Sequence, residues 1–149
     1  MGRYFLELIV FICGAVVMIL ELVGSRVLAP YVGTSIFVWT SLIGIILGSL
    51  SLGYFWGGRL ADKNPSWRAF RLVIFLAGVF IGLTALTKGL VLIFSQEIIP
   101  DLRLQAIFSI LILFAPASIV LGMVSPYAVR LKLQPVATSG NTVGGLYAL

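Results

Sequence analysis

Two small sets of residues carry what chemistry this chain offers: Glu21 with Ser25 and Arg26 inside one apolar run, and Gly58, Arg59, Asp62 and Lys63 at the end of another. If the first run is a membrane helix centred near Val16 and Val17, Glu21 lies only about 7 Å beyond its midpoint. A charged group at that depth costs several kcal/mol unless it faces a bundle interior, a partner or water. Glu7, Gly14 and Glu21 recur at a seven-residue spacing and so share one helix face, and Ser25 is four residues further along it. Arg26 lies about 140° round from Glu21 and closer to the helix end, where a long side chain can snorkel to the interface. Two uses of Glu21 follow. It hydrogen-bonds a neighbouring helix, protonated or paired, or it takes part in solute binding or proton movement.

In the second set, Gly58 and Asp62 are four residues apart and share a face if the helix runs through them. Arg59 and Lys63, with Arg68 and Arg71 beyond, put opposite charge around the acid at the membrane edge. Partial desolvation there makes a pair worth more than the ~0–1 kcal/mol of an exposed one. The bland alternative is a solvated basic loop. Nothing else points to catalysis. There is no histidine and a single cysteine, Cys13, within an apolar run, which leaves no disulfide inside the chain and no zinc cluster. A Gly-rich phosphate loop, a hydrolase triad and a metal-binding constellation are all missing. The expectation is therefore no catalytic residue, no metal ligand and no cofactor.

The elements that must position these residues are membrane helices. Of the 149 residues, 60% are hydrophobic and 10% charged, against ~25% charged in a soluble domain. The fold class expected is all-α, a polytopic transmembrane bundle of four spanning helices with the start of a fifth. Helices are expected over residues 4–29, 38–62, 67–94 and 104–130, with a partial helix at 141–149. The first is too long for the apolar core of a cleavable signal and no small-x-small site follows it; Pro30 and Gly33 should stop it. The second carries no charge from Val38 to Gly58, which at ~1.5 Å per residue crosses a ~30 Å hydrocarbon layer. Trp39 near one end and Tyr54 with Trp56 near the other suit the two membrane interfaces. Its Gly44–Gly48 and Gly53–Gly57 pairs lie about half a turn apart, which predicts close helix packing on both sides.

Asn64 and Pro65 read as a turn, and Gly78 with Gly82 forms another small pair in the third helix. Pro116 and Pro126 should kink the fourth helix without ending it, since neighbours can satisfy the freed carbonyls. Ser118, Gly122 and Pro126 form its packing seam. Ten residues from Gly140 to Leu149 cannot cross a bilayer, so a longer parent protein is expected.

The formal charge of +5 does not point to nucleic acid, because the basic residues sit between apolar runs. Arg3, Arg59, Lys63, Arg68, Arg71, Arg130 and Lys132 fall on one side and Arg26, Lys88 and Arg103 on the other. Seven against three puts the amino terminus in the cytoplasm under the positive-inside rule. The partner expected first is the lipid bilayer.

The string GRLADK, Gly58 to Lys63, resembles the first half of the signature between the second and third helices of major facilitator transporters. The second half departs from it, with Pro65, Ser66 and Trp67 where a glycine and arginines are usual. Three longer pieces, ELVGSRVLAPYVGTS at 21–35, VWTSLIGIILGSLSLGYFWGGRLADK at 38–63 and GNTVGGLYAL at 140–149, are together similar to the amino-terminal membrane region of bacterial membrane-bound spermidine synthase-like proteins. That family fuses a facilitator-like membrane region to a cytosolic aminopropyltransferase-like domain.

The resemblance implies a multi-pass protein of the bacterial inner membrane. It makes Gly58, Arg59, Asp62 and Lys63 a cytoplasmic gate cluster, and the remaining helices or the cytosolic domain of the parent protein its partners. The aminopropyltransferase-like domain and its catalytic residues have no counterpart in this chain. Two functions remain as expectations. One is a transport module for a small polar or cationic solute, with Glu21, Ser25 and Arg26 along the path. The other is a non-transporting anchor for a domain of polyamine synthesis.

Overall fold

The computed structural model describes residues 3–63 and 65–133, and the expected partial helix at 141–149 lies outside them. The described residues form four helices: α1 (Arg3–Val32), α2 (Ile36–Lys63), α3 (Trp67–Ile98) and α4 (Leu102–Leu133). The shortest has 28 residues, about 42 Å at 1.5 Å per residue, so each is long and apolar enough to cross a membrane. The protein is an all-α, multi-pass membrane bundle.

α3 starts at Trp67 as expected, the other helix ends lie one to four residues beyond the expected bounds, and the caps account for several of them. Pro30 lies inside α1. It removes the donor to the Arg26 carbonyl but has a helix-compatible φ, so the helix continues to Val32. Gly33 then takes φ 81 and its N–H returns to the Ala29 carbonyl at 3.0 Å, a left-handed glycine stop. Ser35 Oγ accepts from Val38 N at 3.4 Å and starts α2. Ser66 caps α3, its Oγ accepting from Arg68 N and Ala69 N. Asp101 Oδ1 accepts from Arg103 N at 2.9 Å, a carboxylate placed where the N-terminal dipole of α4 favours it.

Short links make successive helices antiparallel, so α2 and α4 run the same way. α4 is the hub. It packs against α1, α2 and α3, and 56% of its most apolar stretch is buried against 11% of α1's. The α2–α4 contact is backbone on backbone: a Cβ on Gly53 would stand 2.1 Å from the Ile119 oxygen, one on Gly57 2.6 Å from Met123 Cα, and one on Gly122 2.6 Å from the Leu50 oxygen. Lipid supplies no hydrophobic drive between helices, so such close van der Waals contact is what holds them.

The expected seam through Ser118 and Gly122 is therefore buried, with Pro126 half-buried beside it. Close approach on the opposite side of α2 is not seen. Gly44 and Gly48 are exposed, with nothing within 4 Å of the Cβ position, as at Gly78 and Gly82 in α3.

Beyond Pro116, α4 remains helical. The proline withdraws the donor from the Ile112 carbonyl, and Thr84 Oγ1 of α3 donates to the adjacent Leu113 carbonyl at 2.6 Å. The apolar core falls into two clusters. One is built on Leu28, Leu42, Ile110 and Phe114, and the other, at the amino-terminal end of α1, on Leu6, Phe70, Tyr127 and Leu131. Large apolar side chains such as Leu86, 84% exposed, and Phe75, 67% exposed, cover the outside, as a lipid-facing surface requires.

Candidate functional site

The start of α1, the end of α2, the start of α3 and the end of α4 meet at one end of the bundle, and Asp62 is there. Its Oδ1 lies 3.1 Å from Arg130 Nε, an ion pair between α2 and α4. The expected neighbours take other partners: Arg59 stands 4.0 Å from the centroid of the Phe55 ring, and Arg71 Nε donates to the Trp67 carbonyl at 3.4 Å. Lys63 and Arg68 are exposed, with no acid paired to them among the described residues. Helix approach falls on the Gly53–Gly57 face, as the glycine spacing predicts, and not on the face shared by Gly58 and Asp62. Nothing lies within 4 Å of a Cβ on Gly58, whereas Gly57 and the buried Ala61 face α4. Asp62 consequently sits at the lip of the contact, 68% exposed, and Arg130 is 50% exposed, so the pair is worth ~0–1 kcal/mol. Gly58, Ala61, Asp62, Pro126, Val129 and Arg130 line an open hollow of about 210 Å³.

A second ion pair ties α4 to α1: Lys132 Nζ donates to Glu7 Oε1 at 2.5 Å, with side chains only 14% and 28% exposed. Lower exposure and a charge-assisted hydrogen bond make this the stronger of the two, about 1.5–3 kcal/mol. Tyr127, also in the last turns of α4, is fully buried, its hydroxyl accepting from Ser66 N at 3.1 Å. Its ring stacks on Phe70 at 5.9 Å, and Phe70 meets Trp67 edge-on at 6.1 Å. α4 thus carries Arg130, Lys132 and Tyr127 to three different helices or links. The sequence places Arg130 on the same side as Asp62, and that was the available signal for the pair. Nothing in the sequence marks Tyr127 as a link to the start of α3.

Glu21 is half-buried on α1, beside the stripe of Leu20, Gly24 and Leu28 that packs inward. At Gly24 a Cβ would already touch Leu42 and Phe114 at 3.2 Å, so Glu21 stands at the edge of a tight contact. It makes no hydrogen bond or ion pair among the described residues. Ser25 Oγ donates to the Leu22 carbonyl at 2.8 Å instead of to Glu21. Arg26 lines a different cavity, together with Lys88 of α3. The three residues do not assemble into one cluster. Gly14 is exposed, and among the described residues nothing lies within 4 Å of its Cβ position.

Of the further polar groups, Ser118 belongs to the seam expected on α4, and Ser95, Gln105 and Ser109 carry no signal in the sequence. Ser109 Oγ donates to Ser95 Oγ at 3.0 Å, and Ser95 Oγ to the Leu92 carbonyl at 2.8 Å. Gln105 Nε2 and Ser118 Oγ are buried on α4 without a partner among the described residues. No group of three or more His, Cys, Asp and Glu side chains converges among the described residues. The arrangement offers ion pairing at one end and a lone carboxylate within a span, with no nucleophile held by a base. Compared with protein-family models, with curated proteins and with solved structures, the chain has no match.

Proposed function

We propose that the chain is a facilitator-like transport module, of the kind associated with spermidine synthase-like proteins, that moves a small polar or cationic solute across a bacterial inner membrane with its amino terminus in the cytoplasm. The observation that carries this reading is Glu21, a carboxylate within the α1 span that has no hydrogen-bonding or ionic partner among the described residues. An ionisable group at such depth is costly to keep and is, by default, a site for a cation or a proton. Asp62 with Arg130 serves as a charge contact at the cytoplasmic mouth, weak enough to open and close.

The test is uptake of labelled putrescine or another small cation by the full-length protein in proteoliposomes. Glu21→Gln, close in size and uncharged, is expected to lower uptake at least about tenfold, the loss of one charge-assisted contact, with normal insertion and thermal stability. Uptake unchanged in Glu21→Gln would remove the residue from the path.

A second reading is favoured by the covered tie at one end of the bundle, where Lys132 of α4 holds Glu7 of α1. A membrane anchor for a polyamine-synthesis domain needs such a fixed end and no path. Absence of uptake in the wild-type protein across small cations would favour it.

A further inference from the structure

We propose that Arg26 and Lys88 form a binding site for the phosphodiester of an anionic phospholipid, in the cleft between α1 and α3 at the end of the bundle opposite the amino terminus. The inference is independent of whether the protein transports anything. Both side chains line one cavity of about 320 Å³, at the lower end of the ~300–1,000 Å³ usual for ligand sites. They come from helices far apart in sequence, yet they meet at one hollow.

Neither cation has a partner among the described residues that neutralises it. The two ion pairs use other residues, and no aromatic ring lies beneath either cation. The third basic residue of this end is different: Arg103 stands 5.5 Å from the centroid of the Phe37 ring. Two like charges facing a common hollow repel each other unless an anion lies between them. A guanidinium beside an ammonium is a donor set suited to phosphate oxygens.

The rest of the lining favours a lipid over a free ion. Val27, Pro30 and Leu92 supply apolar walls, and Tyr31 adds a phenol, its own backbone held by Gln96 Nε2 donating to the Tyr31 carbonyl at 3.1 Å. Leu22 and Val23, four and three residues before Arg26, share its helix face, lie toward the middle of the span and are exposed. They make an apolar track on which an acyl chain would lie while its headgroup sits against the cations. A free phosphate has no use for that track.

The test measures binding to the full chain in detergent by native mass spectrometry and thermal shift, with phosphatidylglycerol, phosphatidylcholine and inorganic phosphate as separate probes. Phosphatidylglycerol is expected to bind the wild type at least about tenfold more tightly than it binds R26Q/K88Q, the loss of charge-assisted contacts to one phosphate. R103Q, which removes equal charge per site from the same end, is expected to change affinity less than about twofold, because that arginine already has a ring partner. K88R keeps the charge and should retain binding. Lys88→Gln alone, at an exposed position, gives the same reading if the double variant is not recovered. Equal phosphatidylglycerol binding by wild type and R26Q/K88Q, or by wild type and Lys88→Gln where the double variant is not recovered, overturns the site. Equal binding of phosphatidylcholine, or displacement of phosphatidylglycerol by inorganic phosphate at similar concentration, overturns its assignment to an anionic lipid.

Discussion

The two sides of α2 have the same glycine spacing and opposite surroundings. Gly53 and Gly57 meet the α4 backbone, whereas Gly44 and Gly48 meet nothing within 4 Å. A small-xxx-small pair is therefore permission for close approach, and a partner helix must be present before the permission has any energetic consequence. The partner here is α4, which brings Gly122 of its own to the contact. The same contrast holds between α4, tied by side chains to α1, α2 and the α2–α3 link, and α1, whose most apolar stretch is mostly uncovered.

The sharpest way to break this comparison is to add a methyl on each side. Gly53→Ala puts a Cβ 2.1 Å from the Ile119 oxygen, so the two backbones must part. Overpacking of this kind costs ~1–3 kcal/mol or more, and the expected result is a large fall in the melting temperature in detergent. Gly44→Ala fills open space and removes a helix glycine, which favours the folded state by ~0.5–1 kcal/mol. Equal effects of the two substitutions would mean that the α2–α4 contact does not hold the bundle together.

A smaller loss is expected from Tyr127→Phe. Stacking on Phe70 survives the change, while the acceptor for Ser66 N is lost at the entry to α3. A donor left without its partner costs ~1–3 kcal/mol. Hydrogen exchange at the first turn of α3 should quicken in this variant more than exchange in α2. Uniform exchange across the bundle would show that the phenol supports the core and not the link.

The helices were legible because membrane spans announce themselves by length and composition, and Trp39, Tyr54, Pro65 and the short links set their limits to within a turn. Their ends were less so. Ser35 and Asp101 act as caps that start α2 and α4 two residues before the expected bounds, and apolarity carries no information about a cap. The site was legible in kind but not in partner. Asp62 was recognisable as a paired acid, but its neighbours in sequence were the wrong place to look. Arg59 has Phe55 one turn back, and a helix that ends beside another exposes its last acid to that other helix's last bases. Glu21 and Arg26 share a helix but not a direction, and a 140° offset was enough to send them to different surroundings.

The two ion pairs of α4 provide the finest test, because they differ in burial and in the hydrogen bond that the covered pair makes. Lys132 and Glu7 are mostly covered, at 14% and 28% exposure, while Arg130 and Asp62 are at 50% and 68%. Exposure admits water and salt between the charges, so Asp62→Asn should cost no more than ~1 kcal/mol. Lys132→Gln leaves Glu7 partly covered without its partner, and the expected loss is about 1.5–3 kcal/mol. The difference should persist in high salt, since screening weakens an exposed pair much more than a covered one. Melting curves of the two variants at low and high ionic strength check this directly. Equal losses that both vanish in salt would show that water reaches Glu7 as freely as Asp62. A persistent loss in Lys132→Gln alone would place the fixed point of this end at α1 and α4, leaving Asp62 and Arg130 as the contact that can open at little cost.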